Sequence, residues 1–158
     1  SVVVALGTHA NKQGRVAGTN IAGGDAAFAG VLGTAITKFR TLEIGRTGLT
    51  EGEARAAGFD AVGVTTEASS RAHYYPGAQP MRIKIVAERR TGRLLGAQIV
   101  GGEGAGKRID VLATALWNGM TVEAVGGMDL SYAPPFSPVW DPVLLAAGKA
   151  ASKISASS

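Results

Sequence analysis

The chain has 158 residues, of which 46% are hydrophobic and 18% charged, a composition typical of a globular domain with its own core. No apolar run approaches the ~20 residues of a transmembrane helix, and no signal peptide is visible at the start, so we expect a cytoplasmic protein. The absence of cysteine excludes disulfides and cysteine nucleophiles within these residues, and the scattered lysines and arginines behind the +4 net charge do not indicate nucleic-acid binding.

The first residues predict a strand followed by a helix. Residues 1–6 form a short apolar strand candidate. In the stretch THANKQGRVAGTNIAGG, Thr8 is suited to cap the helix and the glycine pair at 23–24 is suited to end it. The small apolar residues of 26–32 predict a connection to the next element.

The next part of the chain predicts strands around a short helix. Residues 34–48 are rich in β-branched and aromatic side chains, which indicates one long strand or two strands joined by a bulge. A capping box follows, in which Thr50 caps a helix and Glu53 reaches back to it, and Gly58 is suited to end that helix. Residues 60–68 alternate as a strand.

The clearest pattern in the sequence is a β-hairpin followed by a helix. Apolar and polar residues alternate over 81–88, and the Thr-Gly pair at 91–92 turns the chain into a second strand over 94–100. The hydrophobic period then changes from two to that of a helix, which we expect over 104–118.

Prolines and caps divide the last part of the chain. Thr121 predicts the start of a short helix, and the three prolines of 134–138 predict a stiff extended segment. Asp141 and Pro142 predict the first turn of a last helix, and residues 155–158 should fray. The order of elements predicts an α+β domain in which an antiparallel sheet is flanked by helices.

The stretch IVGGEGAGKRID (99–110) resembles a phosphate-binding loop, because it satisfies G-x-x-x-x-G-K between a predicted strand and a predicted helix. The motif needs a Ser or Thr after Lys107 to bind Mg²⁺, and Arg108 occupies that position. The strand also comes from a hairpin, which predicts an antiparallel sheet. We therefore favour a glycine-rich turn, with Lys107 and Arg108 facing solvent or a partner subunit, over an ATP- or GTP-binding loop.

Few residues offer catalytic chemistry. His9 and His73 are the only imidazoles, and no acidic residues cluster with metal-ligand spacing, so we expect no metal site. The helix start at His9 is either an ordinary terminus or a place where an anion or electron-rich ring rests. Tyr74 and Tyr132 lie in proline-bounded segments, where a tyrosine either packs or acts as an acid or hydrogen-bond donor.

Six blocks of sequence together carry a family resemblance. They read LGTHANKQGRVAGTNIAGG, GTAITKF, LEIGRTGLTEGEARAAGFD, RAHYYPGAQP, TGRLLGAQIVGGEGAGKRIDVLATAL and SYAPPFSPVWDPV. In order and spacing they resemble the C-terminal part of the FAD-dependent pyridine nucleotide–disulfide oxidoreductases, nearest to coenzyme A disulfide reductase and its NADH oxidase, peroxidase and persulfide reductase relatives. The resemblance implies that residues 1–25 end an FAD-binding domain, that 26–154 form a dimerisation domain and that 155–158 are a frayed tail.

The resemblance also implies roles for individual residues. Thr8, His9 and Ala10 would form the helix start that points at the pyrimidine side of the flavin, and Phe136 would also contact the cofactor. Phe136 is otherwise suited to be an interface anchor, because it is a large apolar group beside polar ones. Tyr74 and Tyr132 would reach across a homodimer and assist the partner subunit's redox cysteine and its thiol or disulfide substrate.

Departures from the family pattern limit what this segment can do alone. The redox cysteine and the G-x-G-x-x-G units that bind FAD and NAD(P)H are absent, so we expect an inactive C-terminal fragment that does not hold FAD firmly. The intact enzyme would pass electrons from NAD(P)H through FAD to a coenzyme A disulfide, a persulfide or a related acceptor. The acceptor, the choice between NADH and NADPH and a following rhodanese domain stay open. The alternative is a stand-alone structural module without catalysis.

Overall fold

The computed structural model describes residues 5–156, which form one sheet and the helices packed around it. In chain order the elements are α1 (Gly7–Ile21), β1 (Ala35–Phe39), β2 (Leu42–Gly48), α2 (Glu51–Ala56), β3 (Ala61–Ser69), β4 (Pro80–Glu88), β5 (Leu94–Gly101), α3 (Ala105–Trp117), α4 (Val122–Gly126) and α5 (Pro142–Ser155).

The sheet has five strands in the order β1-β2-β5-β4-β3, and every neighbouring pair is antiparallel. The central β4–β5 hairpin pairs Ile83 with Ile99 and Ile85 with Ala97. The predicted antiparallel sheet flanked by helices is therefore confirmed. The order also places the predicted phosphate-loop strand, β5, between two antiparallel neighbours.

The main core lies between one face of the sheet and the helices α3 and α5. Ile83, Ile85 and Ile99 point from the sheet into this layer, and Ile109 and Leu112 of α3 meet them there. Full burial of each such side chain stabilises the fold by roughly 1.5–3 kcal/mol. The polar residues that alternate with them on β4 stay on the other face, as the sequence pattern predicts.

Several predicted helix boundaries are confirmed by the structure. The Thr50 hydroxyl accepts from Glu53 N at 3.2 Å, and the Glu53 carboxylate accepts from Thr50 N at 2.7 Å. Gly23 and Gly58 follow the ends of α1 and α2 with φ of +88° each, a conformation that favours glycine. Thr121 caps α4 by accepting from Ala124 N at 3.1 Å.

Three local predictions differ from the structure. Residues 34–48 form two strands joined by a tight turn at Arg40, whose φ is +55°, rather than one strand or a bulged pair. Thr8 lies inside α1, and Leu6 is the N-cap without a side-chain hydrogen bond. Most of the predicted strand at 1–6 lies outside the described residues, as do the last two residues of the predicted tail, whereas Ser155 still belongs to α5.

Candidate functional site

Two irregular segments meet at the end of the sheet where β4 begins. The first joins β3 to β4 and is named here the tyrosine loop (70–79), and the second precedes α5 and is named the proline segment (131–141). Ser70 closes the base of the tyrosine loop, because Ser70 N donates to Gln79 O at 2.8 Å and Gln79 N donates to the Ser70 hydroxyl at 3.0 Å. Ala72 N crosses to the proline segment and donates to Pro134 O at 3.3 Å.

The meeting of these segments brings Tyr74 and Tyr132 together. Their side chains are hydrogen-bonded to each other, and this bond, with a smaller effect of desolvation, raises the pKa of Tyr132 above that of an ordinary tyrosine. The ring of His73 meets the Tyr74 ring edge to face, at 5.7 Å between centroids. Both tyrosines are exposed, by 67% and 47%. The pair therefore presents a protonated phenol to whatever approaches this surface at neutral pH.

A buried arginine lies beneath the pair. Arg108 in the first turn of α3 is only 12% exposed, and its Nη2 donates to Ser70 O and to Phe136 O at 2.9 Å each. Its Nη1 donates to Gly104 O at 2.8 Å and its Nε to Asp141 Oδ2 at 2.9 Å. The expectation that Arg108 faces solvent or a partner is wrong, because the partners of its guanidinium lie inside the fold.

Asp141 completes this buried network and begins α5. Its Oδ1 accepts from Val143 N at 2.8 Å, which confirms the predicted N-cap. Its Oδ2 accepts from Arg108 and from the Ser137 hydroxyl, the latter at 3.0 Å. The same carboxylate therefore caps a helix, neutralises the arginine and holds the end of the proline segment.

The backbone N–H groups of the glycine-rich turn before α3 donate to a side chain of the protein itself. Gly104 is the N-cap of α3 with φ of +87°, and the carboxylate of Glu43 accepts from Gly104 N at 3.1 Å and from Gly106 N at 2.8 Å. These backbone groups are the ones that a phosphate would need at a helix start. Lys107 points outward and pairs with Asp110. This geometry favours the structural turn over the nucleotide loop, and Glu43 is a residue that the sequence pattern did not single out.

The start of α1 forms a separate candidate site. A cavity of about 800 Å³ is lined by Thr8 and His9 of α1, by Ile36 of β1 and by Ile109 and Trp117 of α3, among others. His9 is only 8% exposed, and its Nδ1 is buried without a hydrogen-bond partner. An unpaired buried nitrogen beside the positive end of a helix is suited to a polar or electron-rich group of a ligand.

The other predicted cofactor residues lie apart from this cavity. Ala10 is exposed on the neighbouring surface of α1, where it lines a second depression with Thr8. Phe136 belongs to the proline segment, with a 77% exposed residue surface and a carbonyl bonded to Arg108. Thr8 and His9 thus line the cavity together, whereas Phe136 lies in the proline segment that also contains Tyr132.

Within residues 5–156, no three His, Asp or Glu side chains are grouped so that they could hold a metal ion. In the same range no helix is both long and apolar enough to cross a membrane.

Comparison with known proteins identifies the domain that carries the tyrosine pair. The sequence profile described as the pyridine nucleotide-disulphide oxidoreductase dimerisation domain matches residues 34–142. The chain belongs to this family. The matched range contains the tyrosine loop, Arg108 and Asp141, and the five-stranded antiparallel sheet is the fold of this dimerisation domain.

Several curated relatives are named for the reduction of sulfur compounds, and another is named an NADH oxidase. The chain is 50% identical to an NAD(P)H coenzyme A polysulfide/persulfide reductase of Pyrococcus horikoshii over 92% of its own length and 33% of the relative's. A coenzyme A disulfide reductase of Staphylococcus aureus is 36% identical, over 87% of this chain and 31% of the relative. The chain spans about a third of the length of these curated relatives.

Solved structures of the family share the fold closely. The NAD-dependent persulfide reductase from A. fulgidus superposes with a TM-score of 0.91 at 44% identity, over 98% of this chain and 29% of that one. The pyridine nucleotide–disulfide oxidoreductase resemblance expected from the six sequence blocks is therefore confirmed.

Proposed function

We propose that this chain is the dimerisation part of a flavoprotein that passes electrons from NAD(P)H through FAD to a coenzyme A disulfide, a persulfide or a related acceptor. The exposed Tyr74–Tyr132 pair carries this proposal, because it presents a protonated hydroxyl at the surface, where a substrate can accept a hydrogen bond from it. The activities named for the relatives, on coenzyme A persulfides and disulfides, agree with such a donor. By itself the segment is inactive, because it contains no cysteine.

The tyrosine pair would serve the sulfur chemistry of the partner subunit. When a disulfide bond is reduced, one sulfur leaves as a thiolate, and a nearby O–H group stabilises that charge by donating a hydrogen bond or a proton. A phenol is protonated in the neutral range even at the ordinary pKa of about 10, and the raised pKa of Tyr132 leaves this unchanged, so Tyr132 can donate. The hydrogen bond between Tyr74 and Tyr132 uses one of the pair's two hydroxyl hydrogens, and the other is left for the substrate.

The start of α1 would face the flavin. FAD, when bound, would supply the two-electron chemistry that links NAD(P)H oxidation to disulfide reduction. Thr8 and His9, with the neighbouring Ala10, would support one edge of the ring through the positive helix end, and the unpaired Nδ1 of His9 fits such a contact. In this arrangement residues 1–25 end an FAD-binding domain and 26–154 form the dimerisation domain of a cytoplasmic protein.

An apolar strip on the open face of the sheet supports a homodimer. The strip consists of Phe39, Leu42, Ile44 and Val100, all of which are exposed. Phe39 pairs with Leu42 and Ile44 pairs with Val100, so the four side chains lie side by side on one face. A contiguous apolar patch of this kind is typical of an interface, and a second copy of the chain would cover it.

Half-reaction kinetics of the complete flavoprotein test the proposal. In Tyr132→Phe we expect transfer from reduced flavin to the disulfide to slow by about tenfold or more, because the donated proton is lost. Reduction of FAD by NAD(P)H should keep its rate. Tyr75→Phe is the matched control, since it removes a neighbouring phenol of the same loop. Equal losses in both half-reactions of Tyr132→Phe would contradict the proposal.

A further inference from the structure

We propose that Arg108 is a positioning residue, whose buried guanidinium sets the tyrosine loop and the proline segment in register so that Tyr74 and Tyr132 meet. The catalytic consequence of this arrangement rests on the function proposed above. The positioning itself is a property of this chain and can be measured separately.

The bonds of a single nitrogen define the register. Nη2 of Arg108 donates to Ser70 O and to Phe136 O at 2.9 Å each, so the two carbonyl oxygens lie within two hydrogen-bond lengths of each other. Ser70 begins the tyrosine loop four residues before Tyr74, and Phe136 lies four residues after Tyr132. The guanidinium therefore joins the two segments at matching distances along the chain from the two phenols.

The other arms of the guanidinium fix where this junction lies. Nη1 is bonded to Gly104 O at the turn before α3, and Nε is bonded to Asp141 at the start of α5. A guanidinium is planar and its donors diverge at fixed angles, so bonds on three nitrogens determine its orientation. A lysine at this position has one ammonium group and cannot reproduce the divergent set.

The remaining links between the two segments are weaker. The backbone bond from Ala72 N to Pro134 O is 3.3 Å long, and the bond between the tyrosines lies at an exposed surface. A hydrogen bond to a charged donor is about twice as strong as a neutral one, and burial strengthens it further. Loss of the guanidinium should therefore let the two segments slide and separate the phenols.

Titration of the tyrosines tests the positioning without reference to turnover. In this chain with Tyr75→Phe, absorbance at the phenolate band reports the two remaining phenols, Tyr74 and Tyr132, and the Tyr132 transition should have its midpoint above the usual value of about 10. In Arg108→Lys we expect that midpoint to return toward the usual value. The matched control is Arg89→Lys, an arginine that pairs with Asp60 at 3.2 Å beyond the opposite end of β4, and it should leave the midpoint unchanged.

A double-mutant cycle in the complete flavoprotein separates positioning from mere stability. Arg108→Lys should slow the disulfide half-reaction by a factor similar to Tyr132→Phe and leave FAD reduction unchanged. Because the arginine acts through the tyrosine, the double variant should be no slower than Tyr132→Phe alone. Additive losses, or a slower FAD reduction, would overturn the inference.

Folding failure and failure of the proposed function are distinguishable outcomes. If Arg108→Lys does not fold, the double variant Arg108→Gln with Asp141→Asn removes both buried charges. This variant still lacks the Nη2 bonds to Ser70 O and Phe136 O, and its tyrosines are titrated in the same way. An unchanged Tyr132 midpoint in either folded variant overturns the inference whatever the enzyme does. A shifted midpoint with unchanged disulfide turnover supports the positioning and contradicts the catalytic role of the pair.

Discussion

Replacement of Asp141 by alanine should destabilise the domain more than the loss of an ordinary helix cap. The carboxylate caps α5 through Val143 N, accepts from the Ser137 hydroxyl and neutralises Arg108. Alanine removes all three interactions and leaves a guanidinium that is only 12% exposed without its counter-charge. The cost therefore has a cap component and a buried-charge component.

The two components can be estimated separately. Loss of an N-cap costs about 1 kcal/mol. Removal of one partner of a fully buried ion pair costs about 3–5 kcal/mol. Because three backbone carbonyls still accept from Arg108, we expect the lower end of that range, about 3 kcal/mol, which with the cap gives a total of about 4 kcal/mol for Asp141→Ala.

Thr121→Ala is the matched variant for the cap component. Thr121 caps α4 by accepting from Ala124 N at 3.1 Å, and its side chain has no counter-charge to neutralise. We expect it to cost about 1 kcal/mol. The assay is urea unfolding of the wild type and both variants in one buffer, followed by far-UV circular dichroism with the m-values compared.

The difference between the two variants decides the argument. If Arg108 depends on Asp141 for its counter-charge, Asp141→Ala should lose at least about 2 kcal/mol more than Thr121→Ala. Variants that differ by less than about 1 kcal/mol would refute the buried-charge reasoning, because the carboxylate would then act as a cap alone.

Two further predictions concern glycine packing and acid stability. Gly96→Ala should lower the free energy of unfolding by about 3 kcal/mol, because the added Cβ would lie 2.1 Å from Leu49 O. Gly148 has open space around it in a helix, so Gly148→Ala should raise the free energy of unfolding by about 0.5–1 kcal/mol. A loss well below about 3 kcal/mol for Gly96→Ala in urea unfolding would contradict the close packing at Gly96. A hydrogen bond from Lys84 lowers the pKa of Glu51 below 4.5, so its stabilisation is present above that pH and is lost as the pH falls through the lowered value. Glu51→Gln should therefore cost about 0.5 kcal/mol at neutral pH and nothing in acid, and a pH-independent difference would count against the pairing.

Family membership came from the sequence, because several blocks of residues matched in order and spacing. The helix starts at Thr50, Thr121 and Asp141 and the central hairpin were also predictable. A cap needs a side chain and a backbone group within three residues, and a hairpin needs a turn between two alternating runs. Caps and hairpins can be predicted from the sequence because the groups that interact in them are close along the chain.

The local errors arose where neighbouring residues do not determine the outcome. The turn at Arg40 has no glycine, and its positive φ is held by the pairing of β1 with β2. The start of α1 at Gly7, without a side-chain cap, likewise carries no sequence signal.

Only the tertiary structure decided what the candidate site is made of. Three of the four hydrogen-bond partners of Arg108 lie 28 to 38 residues away along the chain, and Glu43 reaches backbone groups more than 60 residues away. The fold brings these groups together, because β2 pairs with β5 in the sheet and the start of α5 contacts the start of α3 through Asp141 and Arg108. The sequence by itself could show that tyrosines and an arginine were present, but burial and divergent hydrogen bonds across the fold decide which of them meet.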